Sequence, residues 1–154
     1  MRFLLVCLFW LLGKVALVSG DEVPKEVGEQ GLVAIVKEFQ GRLGISEQVA
    51  VSIVEAEKYL VSVQRSPGPG KGFIIRLEKE FLATLTDEEL CSVLAHELGH
   101  VWIFTNHPYL HTEALANQKA MQLVSGESLE KVYEKVWKQT GHKGTLQDFL
   151  ARVE

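Results

Sequence analysis

The chain has 154 residues, of which 47% are hydrophobic and 23% are charged, and its formal net charge at pH 7 is -4. This length corresponds to one domain, and the apolar content is sufficient for a hydrophobic core. The composition excludes a disordered chain, a collagen-like repeat and a protein with several membrane spans. An acidic balance without a cluster of Lys and Arg also argues against a nucleic-acid-binding protein.

The first twenty residues have the pattern of a secretory signal. Arg2 is followed by a short apolar run, and small residues up to Gly20 precede an abrupt change to acidic residues at Asp21. We therefore predict a cleaved signal over residues 1–20 and a single mature domain over 21–154. Such a protein would be secreted or periplasmic, without stable membrane insertion. The alternative is that the same apolar segment stays uncleaved as a signal-anchor and tethers the domain to a membrane.

The cysteine content excludes an intramolecular disulfide in the mature chain. Cys7 lies in the signal, so its removal leaves Cys91 as the single thiol. An exported protein could carry disulfides, but this one must obtain its stability from the core, a metal ion or both.

The front of the mature chain is expected to form a helix followed by three strands. Apolar residues recur at helical spacing between Pro24 and Gly44, and the glycine suits a helix stop. Alternating or β-rich runs, two of them separated by a Pro/Gly loop, predict short strands. The strands cover residues 49–54, 59–63 and 73–77, and the loop covers 66–72.

Helices follow in the rest of the chain. Thr86 and Glu89 have the capping-box spacing and open a helix that continues to about Phe104. The other predicted helices cover residues 78–85, 112–124, 128–139 and 145–153. A small sheet followed by helices predicts the α+β class, with a short mixed sheet.

Within the capped helix stands the sequence His96-Glu97-Leu98-Gly99-His100, an H-E-x-x-H motif. Histidines four residues apart lie one turn apart on nearly the same face of a helix, so both imidazoles can reach one zinc ion. Glu97 lies about 100° further round the helix, which suits a group beside the metal rather than a ligand. Gly99 is a poor helix former, which indicates a close approach by another part of the chain.

A catalytic zinc site needs a third protein ligand and an open position. Ile103 and Asn106 stand where a metzincin would need Gly and His, which excludes that class. Four candidates for the third ligand remain downstream: His107, His111, Glu113 and His142. Glu113 is preferred because it opens a helix whose small residues permit close packing against the H-E-x-x-H helix.

The H-E-x-x-H helix, followed by Glu113-x-x-Ala-Asn117-x-x-Ala-x-x-Leu, resembles the gluzincin zinc metallopeptidases. It is most similar to the minimal gluzincins and to soluble relatives of the heat-shock and prenyl-protein membrane peptidases. The resemblance covers about residues 49–124 and implies a small zincin-like domain. By that resemblance His96, His100 and Glu113 bind one zinc ion and Glu97 is the general base. Asn117 takes a position where such families often have Asp, which orients a histidine ligand.

The resemblance implies hydrolysis of peptide bonds in a peptide or protein substrate, with Glu97 accepting a proton from a zinc-activated water. We expect the edge of the strand over 73–77 to pair with an extended substrate. Tyr109, His111 and His142 are candidate donors to the substrate oxygen. The alternative function is a weak or inactive zinc-stabilised module that binds a peptide or protein, although zinc binding alone does not require Glu97.

Overall fold

The computed structural model describes residues 28–67, 70 and 72–141. The predicted signal, the predicted helix over 145–153 and His142 lie outside these residues. The described elements are, in chain order, α1 (Glu29–Leu43), β1 (Gln48–Val54), β2 (Val61–Arg65), β3 (Gly72–Glu78), α2 (Lys79–Leu82), α3 (Asp87–Asn106), α4 (Glu113–Ala120) and α5 (Gly126–Thr140). The predicted α+β class with a small mixed sheet is confirmed.

The sheet has the strand order β1-β3-β2. Strand β1 runs parallel to β3 and β2 runs antiparallel to it, so that Val51 and Val63 both lie opposite Ile75. The expectation that residues 73–77 offer a free edge is therefore wrong, because β3 has a partner on each side. Its apolar sequence suits the central position, where alternate side chains are buried in the core. Strand β2 lies at an edge instead.

Helices α1 and α3 supply most of the helical part of the core. Leu32 and Val36 of α1 are fully or almost fully buried, as are Leu94 and Leu98 of α3. Helix α3 begins with the predicted capping box: the Thr86 side chain accepts from the Glu89 amide, and the Glu89 carboxylate accepts from the Thr86 amide. This cap satisfies two backbone donors at the start of the helix. The predicted start of α3 is thereby confirmed.

The ends of several other elements differ from the predictions. The helix expected over 112–124 ends at Ala120, and a turn over 121–123 follows. Ser125 then caps α5 by accepting from the Ser128 amide, so the next helix begins at Gly126, two residues before the predicted start. Cys91, the single thiol of the predicted mature chain, is partly buried.

Between residues 28 and 141, the described helices include none that is both long and apolar enough to cross a membrane.

Candidate metal centre

Two helices that cross at very short range bring three candidate ligands together. His96 and His100 lie on α3, and Glu113 lies in the first turn of α4, where Thr112 caps the helix by accepting from the Leu115 amide. A ligand atom from each of the three residues lies within 4.8 Å of the other two. Among the described residues, Glu113, the third-ligand candidate preferred from the sequence, completes this group with the two histidines.

The close crossing depends on Gly99. A Cβ atom built on Gly99 would lie only 2.4 Å from the backbone oxygen of Ala116 on α4. Ordinary contact between such atoms begins roughly 1 Å further apart. The unusual glycine in the middle of α3 is explained by this contact, as its sequence position indicated.

The spacing of the three side chains fits a tetrahedral ion. The two Nε2 atoms lie 3.0 Å apart, and the Glu113 carboxylate oxygens lie 3.2 Å from Nε2 of His96 and 3.5 Å from Nε2 of His100. An ion with bonds of about 2.0–2.1 Å in tetrahedral geometry separates neighbouring ligand atoms by roughly 3.3 Å. Two imidazoles and one carboxylate are also a ligand set that zinc accepts.

The His96 ring is held by a hydrogen bond on the side away from the centre. Its Nδ1 lies 2.8 Å from Oδ1 of Asn117, which is fully buried on α4. An amide oxygen can only accept, so Nδ1 carries a proton and Nε2 is the ring nitrogen that faces the candidate centre. Among the described residues, Nδ1 of His100 has no such partner.

The charges at the centre favour an ionised carboxylate beside the histidines. Hydrogen bonds from His100 and His96 hold the pKa of Glu113 far below its ordinary value. Burial disfavours the charged form of His96, but the Glu113 and Glu97 carboxylates outweigh burial and raise the pKa of its imidazole. A metal ion would therefore compete with a proton at His96.

Glu97 lies beside the three candidate ligands and is 7% exposed. Burial raises the pKa of its carboxyl group, although the neighbouring histidines oppose the shift. A carboxyl group with a raised pKa accepts a proton more readily near neutral pH, as a general base must. Its position agrees with the expectation from the helix geometry.

A cavity of about 460 Å³ opens onto the candidate centre. One wall is polar and carries Glu97, Glu113 and the two histidines, while apolar side chains form most of the rest. The apolar lining comes from β2 and from helices α2, α3 and α5: Val61, Val63, Phe81, Val93, Phe104, Leu129, Val132 and Val136. The candidate metal centre therefore lies at the edge of an apolar cleft.

The other side chains singled out in the sequence have different positions. His111 lines the cavity, and its ring stacks on that of His100 with centroids 4.8 Å apart. Tyr109 is 98% exposed and does not line the cavity. His107 is exposed and lies against the Trp102 ring, away from the three candidate ligands.

Tyr133 of α5 is a residue of the site that the sequence analysis missed. Its hydroxyl donates to Oδ1 of Asn117 at 3.2 Å, and its ring lies edge-on to His96. Burial and the Glu113 carboxylate raise the pKa of the hydroxyl, so it keeps its proton. The available signal was the apolar stripe of α5, in which Tyr133 lies between Leu129 and Val136, on the face opposite the charged residues.

A mixed sheet beside an H-E-x-x-H helix, with a carboxylate from the next helix at both imidazoles, defines a gluzincin-type metallopeptidase. The sequence pattern of peptidase family M48 matches residues 66–153, more than half of the chain. The chain belongs to this family, and the resemblance proposed from its sequence is confirmed.

Individual relatives agree with this assignment. The chain is 30% identical over 105 residues to the uncharacterized protein aq_aa15 of Aquifex aeolicus, covering 68% of this chain and 86% of that protein. The fold is similar to that of the metallopeptidase zymogen abylysin of Pyrococcus abyssi (TM-score 0.52, 19% identity, 73% of this chain and 97% of the other). It is also similar to the zymogen jannalysin of Methanocaldococcus jannaschii (TM-score 0.53, 20% identity, 79% and 96%).

Proposed function

We propose that the chain is a zinc-dependent endopeptidase in which His96, His100 and Glu113 hold one zinc ion and Glu97 is the general base. The observation that carries this proposal is the convergence of the three ligand atoms within 4.8 Å, beside a buried carboxylate in a cleft. The bound zinc ion would supply Lewis-acid polarisation of a water molecule and of the substrate carbonyl. Family membership supports hydrolysis of peptide bonds.

The residues of the chain have separate tasks in this mechanism. The Glu97 carboxylate accepts a proton from the attacking water and delivers it to the leaving amine. Asn117 keeps Nδ1 of His96 protonated, which directs the other nitrogen of the ring toward the metal position. Burial around Glu97 excludes bulk water and strengthens its interaction with the histidines.

A donor to the substrate oxygen is also required, and His111 is the candidate that the geometry supports. Its ring lies in the cavity beside His100, whereas Tyr109 points into solvent. An imidazole N–H that reaches the carbonyl oxygen would stabilise the negative charge that develops there during attack.

The cleft indicates how a peptide would bind. Strand β2 pairs with β3 on one side, and no described strand pairs with its other edge. Val61, Ser62 and Val63 of this strand line the cavity, so an extended peptide could pair with β2 and direct a side chain inward. The buried walls contributed by Phe81 and Leu129 favour an apolar side chain next to the cleaved bond.

We further propose that the protein acts outside the cytoplasm after removal of residues 1–20. The support is the sequence pattern of that segment, which combines a basic start, an apolar run and a small-residue exit. N-terminal sequencing of the protein recovered from its native host should begin at Asp21. A blocked or intact start at Met1 in a membrane fraction would favour the signal-anchor.

The peptidase proposal is tested with a mixed peptide library and three zinc-loaded forms of the chain at equal zinc content. The wild type and a Glu88→Gln control, altered at an exposed glutamate in the first turn of the same helix, should cleave peptides. Glu97→Gln should bind zinc and show at least a 100-fold loss of cleavage, in line with the contribution of a general base. If all three forms bind zinc and none cleaves, the chain is a binding module. If none binds zinc, the proposed centre is wrong.

A further inference from the structure

Tyr133 brings helix α5 into the candidate metal centre. Its ring lies edge-on to the His96 imidazole, with centroids 5.8 Å apart, and it also packs against the Trp137 ring. The other side chains that α5 contributes to the cavity are apolar. The Tyr133 hydroxyl is therefore the polar group through which α5 acts on the centre.

This hydroxyl and His96 share one acceptor. Oδ1 of Asn117 accepts from the Tyr133 hydroxyl at 3.2 Å and from Nδ1 of His96 at 2.8 Å. An amide oxygen has two lone pairs, so both are used. The amide nitrogen of Asn117 is buried and has no hydrogen-bond partner among the described residues. The orientation of this amide consequently depends on the two donors to its oxygen.

The orientation of the amide determines which nitrogen of His96 can bind a metal. With the oxygen facing His96, the ring proton stays on Nδ1 and Nε2 keeps a free lone pair. With the amide reversed, its NH₂ group would face Nδ1, the ring proton would move to Nε2, and this nitrogen could not bind a metal. In the reversed arrangement the Tyr133 hydroxyl would have to accept from the NH₂ group and could no longer donate to Oδ1, so its donation to Oδ1 belongs to the arrangement that leaves Nε2 of His96 free for a metal.

Burial and the nearby Glu113 carboxylate both raise the pKa of the same hydroxyl. Glu113 and Asn117 lie one turn apart on α4, and Tyr133 donates to Asn117 while it lines the same cavity as Glu113. Because its pKa is raised, the hydroxyl keeps its proton and remains a donor at neutral pH.

We infer that Tyr133 is a positioning residue that acts through Asn117 to hold His96 in its metal-binding tautomer. The inference depends on the proposed function only in taking His96 as a zinc ligand. Tyr133 makes no step of the reaction itself. Removal of its hydroxyl should therefore lower zinc affinity.

The test compares zinc dissociation constants, measured by competition with a chromogenic chelator, for the full chain and three variants. Tyr133→Phe keeps the ring and should weaken zinc binding about tenfold, at the lower end of the range for groups that orient a ligand. Tyr109→Phe removes an exposed hydroxyl and should have no effect. In an Asn117→Ala background, Tyr133→Phe should weaken zinc binding by a clearly smaller factor than it does in the wild type. The reason is that the acceptor of the Tyr133 hydroxyl has already been removed.

The outcomes separate this inference from the proposed function. If the wild type does not bind zinc, the proposed function fails. If the wild type binds zinc and Tyr133→Phe binds it equally well, the inference is overturned, even if the variant melts at a lower temperature. An equal loss of affinity in both backgrounds would show that the hydroxyl does not act through Asn117. A 100-fold loss of kcat at full zinc loading would instead make Tyr133 a catalytic donor.

Discussion

Gly99→Ala tests whether the close crossing of α3 and α4 builds the metal centre. The added methyl group would lie 2.4 Å from the backbone oxygen of Ala116 and 3.0 Å from its Cα atom. Backbone atoms cannot rotate away as a side chain can, so α4 must move by roughly 1 Å. Glu113 is three residues before Ala116 on the same helix and must move with it.

The size of this movement can be compared with what a zinc site tolerates. Zinc–ligand distances in well-formed sites vary by about 0.2 Å, several times less than the required displacement. We expect Gly99→Ala to weaken zinc binding at least tenfold. The unfolding free energy of the metal-free chain should also fall, because overpacking costs about 1–3 kcal/mol. The gain of about 1 kcal/mol from Ala over Gly in a helix offsets only part of that cost.

Gly41→Ala in α1 is the matched control, since a Cβ there meets nothing within 4 Å. It should raise the unfolding free energy by about 0.5–1 kcal/mol and leave zinc affinity unchanged. Chelator competition gives the affinity, and urea unfolding of the metal-free chain gives the stability. The reasoning is refuted if Gly99→Ala behaves like Gly41→Ala, with unchanged zinc affinity and increased stability.

Two further substitutions test the surroundings of the centre. Asn117→Asp places a carboxylate beside Nδ1 of His96 and should tighten zinc binding about tenfold. The buried charge should lower the stability of the metal-free chain. Weaker zinc binding, measured by chelator competition, would contradict the expected effect on affinity. Burial opposes ionisation of Glu89, but Lys135 and the Thr86 amide outweigh it and hold the pKa of this carboxyl below 4.5. The stabilisation that ionised Glu89 gives the folded chain is therefore complete above pH 4.5. It is lost as the pH falls through the lower pKa of the folded state. Glu89→Gln should lower the unfolding free energy by about 1–2 kcal/mol at pH 7 and by progressively less below pH 4.5. If urea titrations give the same difference between the variant and the wild type at every pH, the ion pair is not the cause.

The parts of the fold that could be predicted from sequence are those fixed by local chemistry. The capping box at Thr86 and Glu89 determines where α3 starts, and the spacing of His96 and His100 determines which face they share. Gly99 indicated a close approach because a glycine in mid-helix lowers the stability of the helix, which a contact that only glycine permits can compensate. Each of these signals lies within one helix and does not depend on distant residues.

The features that could not be predicted depend on contacts between distant segments. Strand order is one such feature, because the apolar run of β3 is equally consistent with a central strand and with a buried edge strand. The role of Tyr133 is another, since nothing near it in sequence indicates that its hydroxyl meets Asn117 on a different helix. The apolar cavity likewise combines side chains from β2, α2, α3 and α5, whose proximity arises only in the folded chain.

The central claim is that one zinc ion is held by two imidazoles of α3 and the first carboxylate of α4. Anomalous X-ray diffraction at the zinc edge, from crystals of the zinc-loaded chain, tests it most directly. We expect a single strong zinc peak at about 2.0–2.2 Å from Nε2 of His96, Nε2 of His100 and the Glu113 carboxylate, with Glu97 outside bonding distance. A zinc ion bound by another side chain in place of Glu113, or no zinc peak between the two helices, would contradict the claim.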